Sequence, residues 1–331
     1  MCRPLARFVG SAPCSAHWSV GSLGTVNHVI FGTGPIGRAT AEALLRRGER
    51  VTMVNRSGTA PLPDSVEVLG GDARDADFAK WAAGGARVVY QTLNPPYHRW
   101  AKEFPALQAG VIAAAEASGA RFVNMDNLYS YGSSAGRPLT ESNPIAPVSR
   151  KGAVRARMEE DLWAAHDAGR IPVASGRASD YFGPGAGQSS ALGDRVFLPA
   201  IAGKPVRLFG DPDLLHSYTF IPDIGEALAV LGEHPDAVGS TWHLPNDPTA
   251  QTSRAMVETV FRLADTSPRL SRLPTIVLRL VGIVNPTVRE LIEMEYEFTE
   301  PFVVDSSRIL ALGLRATPVD EALAVTFASY R

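Results

Sequence analysis

Cysteine is almost missing from this chain. Only Cys2 and Cys14 occur among its 331 residues, so the chain beyond them can build neither a disulfide framework nor a thiolate metal site, which fits a reducing, cytoplasmic setting. His98, His216 and His243 share no metal-ligand spacing, and no metal site is expected. Nowhere do about 18 uncharged apolar residues run together, so the sequence offers no membrane-spanning helix. Nor is there an excess of either charge. With 32 basic side chains against 34 acidic ones, the chain has no basic field for a phosphate backbone or anionic lipid, and neither nucleic acid nor membrane is expected as a partner. The Gly-x-Ser-x-Gly elbow of many hydrolases is absent as well.

What is present suits a large buried core: 45% of the residues are hydrophobic and 20% charged. Residues 1–25 read as a disordered extension, because Arg3 and Arg7 are followed by no apolar stretch of signal-peptide length. From residue 26 onward, apolar runs at 26–31, 51–55 and 88–91 alternate with helix-like segments at 39–47 and 78–83. Helix 104–118, strand 121–125, helix 153–166 and strand 171–176 continue the alternation. Strands at this spacing need crossover helices. The expected fold class is therefore α/β, a Rossmann-type doubly wound parallel sheet mainly within residues 26–182. A smaller C-terminal α/β substrate-binding cap is expected mainly within 183–331, completed by a helix-like stretch at 275–297, with the chain crossing between the two. Residues 132–152, rich in Ser, Pro and Gly, are too long for a simple connection and read as a functional loop.

The strongest local signal is Gly32-Thr33-Gly34-Pro35-Ile36-Gly37, which follows the apolar run Val29-Ile30-Phe31 and opens a helix-like segment at Arg38. In that context Gly32 permits a tight turn, Gly34 lets backbone amides approach a pyrophosphate, and Gly37 allows the helix to lie close on the sheet. Dinucleotide binding follows. The second strand ends Val54-Asn55-Arg56-Ser57, where an NAD-binding chain usually carries a carboxylate for the ribose hydroxyls. With none there to repel a 2′-phosphate, and with Arg56 and Arg38 available to hold one, NADP(H) is the expected cofactor and NAD(H) the alternative. Asp72 and Ala73 are placed at the adenine edge, and Thr92 on the cofactor side of the fourth strand.

Several landmarks then occur in order: the glycine loop, Gly71-Asp72, Tyr131-Gly132, the segment 177–184 (RASDYFGP), 218–223 (YTFIPD), and Val304-Asp305-Ser306-Ser307-Arg308. Over roughly residues 26–330 the chain resembles the extended short-chain dehydrogenase/reductase superfamily, the NAD-dependent epimerase/dehydratase group. The resemblance implies a Ser or Thr and a Tyr-x-x-x-Lys pair, in which the lysine lowers the tyrosine's pKa for proton exchange as hydride moves. This sequence departs at all three positions: Asn127 stands for Ser/Thr, Lys151 for Tyr and Arg155 for Lys. If hydride chemistry survives, the proton comes from elsewhere, with Tyr129, Tyr131, Lys151 or the substrate's own hydroxyl as candidates. If it does not, the chain is a non-catalytic dinucleotide sensor.

On the substrate side, Asn94, Tyr97 and Trp100 follow the fourth strand, and their aromatics can stack on a flat or apolar ligand. Asp180 and His216 complete the expected substrate residues. Nucleotide-sugar members of the resembled group usually carry Arg where His216 stands, which weakens a sugar epimerase or dehydratase reading. The expectation is an NADP(H)-dependent, carbonyl-reductase-like oxidoreductase acting on a small apolar or aromatic metabolite. The resemblance also makes a homodimer common.

Overall fold

Six strands follow the alternation: β1 (His28–Phe31), β2 (Val51–Asn55), β3 (Glu67–Gly70), β4 (Val88–Gln91), β5 (Arg121–Asp126) and β6 (Val173–Arg177). Four short strands then lie outside the sheet: β7 (Asp180–Phe182), β8 (Val206–Leu208), β9 (Leu215–His216) and β10 (Tyr218–Phe220). The chain returns with β11 (Ser240–His243), completing a seven-stranded parallel sheet in the order β11-β6-β5-β4-β1-β2-β3. The computed structural model describes residues 28–273, 282–283, 289 and 292–331. The extension expected at 1–25 and most of the helix expected at 275–297 lie outside the described residues.

The helices are α1 (Pro35–Arg46), α2 (Ala76–Ala82), α3 (Trp100–Ser118), α4 (Arg150–Asp167), α5 (Asp194–Ile201), α6 (Ile221–Glu233), α7 (Ser253–Leu263) and α8 (Val319–Ala328). All four residues of β1 are buried, as a central parallel strand covered on both faces requires. Its side chains alternate between two cores. Ile30 joins Leu44 of α1 and Leu228 of α6, whereas Val29 and Phe31 join Phe78 of α2, Val111 of α3 and Leu162 of α4. A third core, built on Phe197, Phe220, Phe261 and Phe327, holds the cap together. Three of the helices carry side-chain caps: Asp75 accepts from the Asp77 and Phe78 amides, Ser149 from the Gly152 amide and Thr252 from the Ala255 amide.

This topology gathers the loops after β1 to β6 at one edge of the sheet, the carboxyl end, where open α/β sheets bind ligands. The strand order reverses between β4 and β1, so the glycine loop and the Thr92–Tyr97 loop face each other there. The 132–152 loop has another role. It is tied to the C-terminal segment by a bridge between Leu139 and Val304, and residues 132–149 contribute nothing to the cleft wall.

Candidate active site

A cleft of about 830 Å³ opens along this edge, from the glycine loop to the cap. At its base Gly32 takes φ +117° and its amide donates to the Val54 carbonyl at 2.9 Å. The Thr92 hydroxyl donates to the carbonyls of Phe31 and Gly32, at 3.1 and 3.2 Å, and so pins the loop from the neighbouring strand. Helix α1 begins with Gly34 as its N-cap, and no side chain caps its first amides. Those amides remain for an anion. A Cβ on Gly37 would fall 2.1 Å from the Gly32 carbonyl oxygen, whereas one on Gly34 would meet nothing within 4 Å. The loop is thus packed tight on the sheet side and open on the cleft side, which fits a pyrophosphate cradle.

Asn55 organises the next turn. Its amide donates to Thr33 Oγ1 at 2.9 Å and to the Thr59 carbonyl at 2.8 Å, and its oxygen accepts from the Gly58 amide at 2.7 Å. Arg56 beside it is exposed and lines the cleft. Asp72 and Ala73 line it too, and Arg74 clasps the Asp72 carboxylate, holding its pKa below the usual value. Arg38, expected to assist Arg56, is not part of the cleft wall; its guanidinium lies against the Gly185 turn.

Of the residues aligned with the resembled group's catalytic set, Lys151 and Arg155 are locked into ion pairs. Lys151 is 2% exposed, pairs with Glu293, sits 5.3 Å over the Tyr97 ring and does not line the cleft. Burial alone would push the Glu293 carboxyl up, but Lys151 and Arg150 outweigh it and hold it down. Arg155, at the cleft wall, pairs with Asp126 at 3.3 Å and lies over Trp100 and Phe104 at 4.9 and 4.2 Å. Arg177 approaches the same Asp126 at 3.7 Å and pairs with the half-buried Glu159, so a network of four charged groups, three of them buried, lies beneath the site.

Tyr129 and Tyr131 part company. The Tyr129 hydroxyl meets that of Tyr97 at 2.8 Å in the cleft, and burial pushes both phenols up, keeping them protonated. Tyr131 turns away: its hydroxyl bonds to His243 Nε2 at 3.0 Å, and its ring packs with Leu139 and Phe302. A proton-donor role for Tyr131 or Lys151 therefore lacks a path into the cleft. Asn127 lines the cleft, with its Oδ1 accepting the Tyr129 amide at 3.2 Å. Trp100 donates to the Pro95 carbonyl at 2.8 Å and anchors the loop that carries Asn94 and Tyr97. Asp180 reaches the cleft and bonds His216 at 2.9 Å, while His216 itself stays behind it, stacked on Phe298 and Phe302.

Three cleft residues carried no signal in the sequence reading. Arg195 and Arg207 come from α5 and β8, and Glu297 from the single turn Glu295–Phe298. Each stands alone in its local sequence, without a spacing rule to find it. An acid inside an aromatic-rich run, as at Glu297, was the one available hint.

A parallel sheet, a glycine cradle and a cap over the carboxyl edge define a dinucleotide-dependent enzyme class. The chain belongs to the NAD dependent epimerase/dehydratase family, whose model matches residues 29–244. It is 27% identical over 267 residues to dTDP-6-deoxy-L-talose 4-dehydrogenase (NAD(P)(+)) of Kitasatospora kifunensis, covering 74% of this chain and 81% of that one. An epimerase from Methanothermobacter thermautotrophicus shares the fold with a TM-score of 0.76 at 16% identity, over 92% of both chains. UDP-glucuronic acid 4-epimerase of Bacillus cereus, solved with UDP-glucuronic acid and NAD, has a TM-score of 0.73 at 16% identity, over 92% of this chain and 98% of that one. Among the described residues no helix is long and apolar enough to cross a membrane.

Proposed function

We propose that the protein is an NADP(H)-dependent oxidoreductase that exchanges a hydride with a carbonyl or alcohol carbon of a small metabolite presenting an apolar or aromatic face. The observation that carries this reading is the continuity of the cleft, which runs from the glycine loop past Arg56 to the Tyr97–Tyr129 pair. Residues 32–37 and the first amides of α1 would hold the pyrophosphate, Arg56 the 2′-phosphate, and Asp72 and Ala73 the adenine side. Thr92 keeps the loop in register. The bound cofactor supplies the hydride. The chain's own residues orient the substrate: the Tyr97–Tyr129 pair offers a neutral hydroxyl donor to a substrate oxygen, and the Arg155–Asp126 pair fixes Trp100 beneath it.

Titration of the purified protein with NADPH and with NADH, followed by nucleotide fluorescence, tests the cofactor half. Tighter binding of NADPH supports the reading, and absence of binding by either nucleotide removes it. Binding without oxidation of NADPH by any of a panel of aryl and alkyl ketones would favour a dinucleotide sensor, the role that the ion-paired Lys151 and Arg155 would suit. A second substrate reading has its own support. The exposed guanidiniums of Arg195 and Arg207 on the cap side of the cleft suit a diphosphate, as a nucleotide-sugar substrate would carry. Substituting Arg207→Ala would then raise KM for such a substrate and leave its kcat unchanged.

A further inference from the structure

Five carboxyl groups line the cleft, and four of them have basic partners. Asp72 is held by Arg74, Glu103 by Arg99, Asp126 by Arg155 and Asp180 by His216. Glu297 has no basic partner, only the hydroxyl of the adjoining Tyr296, which pulls its pKa down against the larger effects of burial and Asp180. Glu297 is 2% exposed, its Oε1 is buried without a hydrogen-bond partner, and among the described residues no cation pairs with it. Its turn is seated on the reactive side of the cleft, since the adjoining Met294 and Tyr296 join Trp100, Tyr97 and Tyr129 in one apolar cluster.

The groups around it set its charge. Asp180 faces it from β7, with His216 behind; Tyr97 and Tyr129 face it from the sheet side; Tyr296 stands on its own turn. Arg155 is spoken for by Asp126. Burial, and then the Asp180 carboxylate, push the Glu297 carboxyl well above its ordinary value. That push is toward the protonated form, the state a proton donor needs.

We propose that Glu297 is a catalytic residue, the acid that gives a proton to the substrate oxygen on reduction and takes it back on oxidation, in place of the missing Tyr-x-x-x-Lys pair. This rests on the oxidoreductase reading above. In the reducing direction the carbonyl carbon gains a hydride with its electron pair from a reduced nicotinamide. The carbon–oxygen π pair moves onto the oxygen, which takes the carboxyl proton and leaves Glu297 as a carboxylate. The nicotinamide is oxidised and the carbonyl reduced. The Tyr97–Tyr129 pair then acts as a hydrogen-bonding partner that positions the oxygen.

Infrared difference spectroscopy on the protein without nucleotide gives a readout independent of turnover. The wild type at pH 7 should show the carbonyl stretch of an un-ionised carboxylic acid that Glu297→Gln removes. On whichever ketone of the panel the wild type reduces, Glu297→Gln should lower kcat about 10²-fold or more, with NADPH affinity unchanged. Should Glu297→Gln fail to fold, Glu297→Asp carries the comparison, shifting the band and lowering kcat. A wild type without the band, or a Glu297→Gln variant with full turnover while Tyr129→Phe is inactive, overturns the proposal and leaves cofactor binding standing. Failure of the wild type to bind NADPH overturns the underlying reading and the proposal with it, whatever the spectrum shows.

Discussion

Two glycines three residues apart allow the cradle to be dissected. At Gly37 an added methyl would lie 2.1 Å from the Gly32 carbonyl oxygen and 2.7 Å from Thr92 Oγ1. Helix α1 would have to retreat by roughly 1 Å to restore ordinary contact. Overpacking of this kind costs about 1–3 kcal/mol. With an unfolding entropy near 2 cal/mol/K per residue, that lowers the Tm of a chain of 331 residues by roughly 1.5–4.5 °C. Gly34 is different: its φ of -69° and ψ of -179° suit any residue, and an added methyl meets open cleft. Gly34→Ala should therefore melt like the wild type. Both variants should lose NADPH affinity about 10-fold to 100-fold, the value of a charge-assisted amide–phosphate bond of about 1.5–3 kcal/mol. Thermal unfolding and fluorescence titration decide. If Gly34→Ala melts as low as Gly37→Ala, or if either binds NADPH like the wild type, the account of the loop is wrong.

Three further outcomes are expected. Arg56→Ala should weaken NADPH about tenfold without affecting NADH, because Arg56 is exposed and water limits its pull, and the difference should shrink as salt rises; equal losses for both nucleotides would dissociate Arg56 from the 2′-phosphate. Asp126→Asn removes the charge between Arg155 and Arg177, at 3.3 and 3.7 Å, and should cost about 3–5 kcal/mol in urea unfolding; a change well under 1 kcal/mol would count against the network. His28 is fully buried, bonds Tyr90 at 3.0 Å, and burial lowers its pKa to about 4 despite Glu49. The folded protein resists a proton that the unfolded chain accepts near 6.5, so this contribution is complete above that pH and is lost as pH falls toward 4. His28→Gln should flatten the stability profile across that window, and an unchanged acid slope would refute the assignment.

The parts legible in the sequence are those decided within a few residues. The strand–glycine loop–helix unit is one, since the contacts of Gly32 and Gly37 close on each other and on the next strand. Strand β3 can be counted in the sequence but given no bounds, because Glu67–Gly70 lies at the sheet edge, half-exposed and without alternation. β11 escaped notice because it joins the sheet beside β6, more than 60 residues earlier in the chain. Catalytic candidates were harder to rank for the same reason. Tyr129 and Tyr131 look equivalent as a pair, yet the 3-10 turn they share sends one hydroxyl to Tyr97 and the other to His243. Lys151 looks like a stand-in proton donor until Glu293, 142 residues away, claims it. Position along the chain identified the neighbourhood; long-range partners assigned the duties.

The return of the chain to the sheet after β10 bears on how the molecule can be divided. A cut near residue 183 would strip α6 from the face of α1 and bare the edge of β6 that β11 covers. Neither fragment would be a natural unit: the first would expose a sticky sheet margin, and the second would hold an orphaned strand and helix. Shortened versions of this protein should therefore aggregate rather than yield a free nucleotide-binding half, and any opening of the lid must be a modest tilt on several tethers rather than a swing about one hinge.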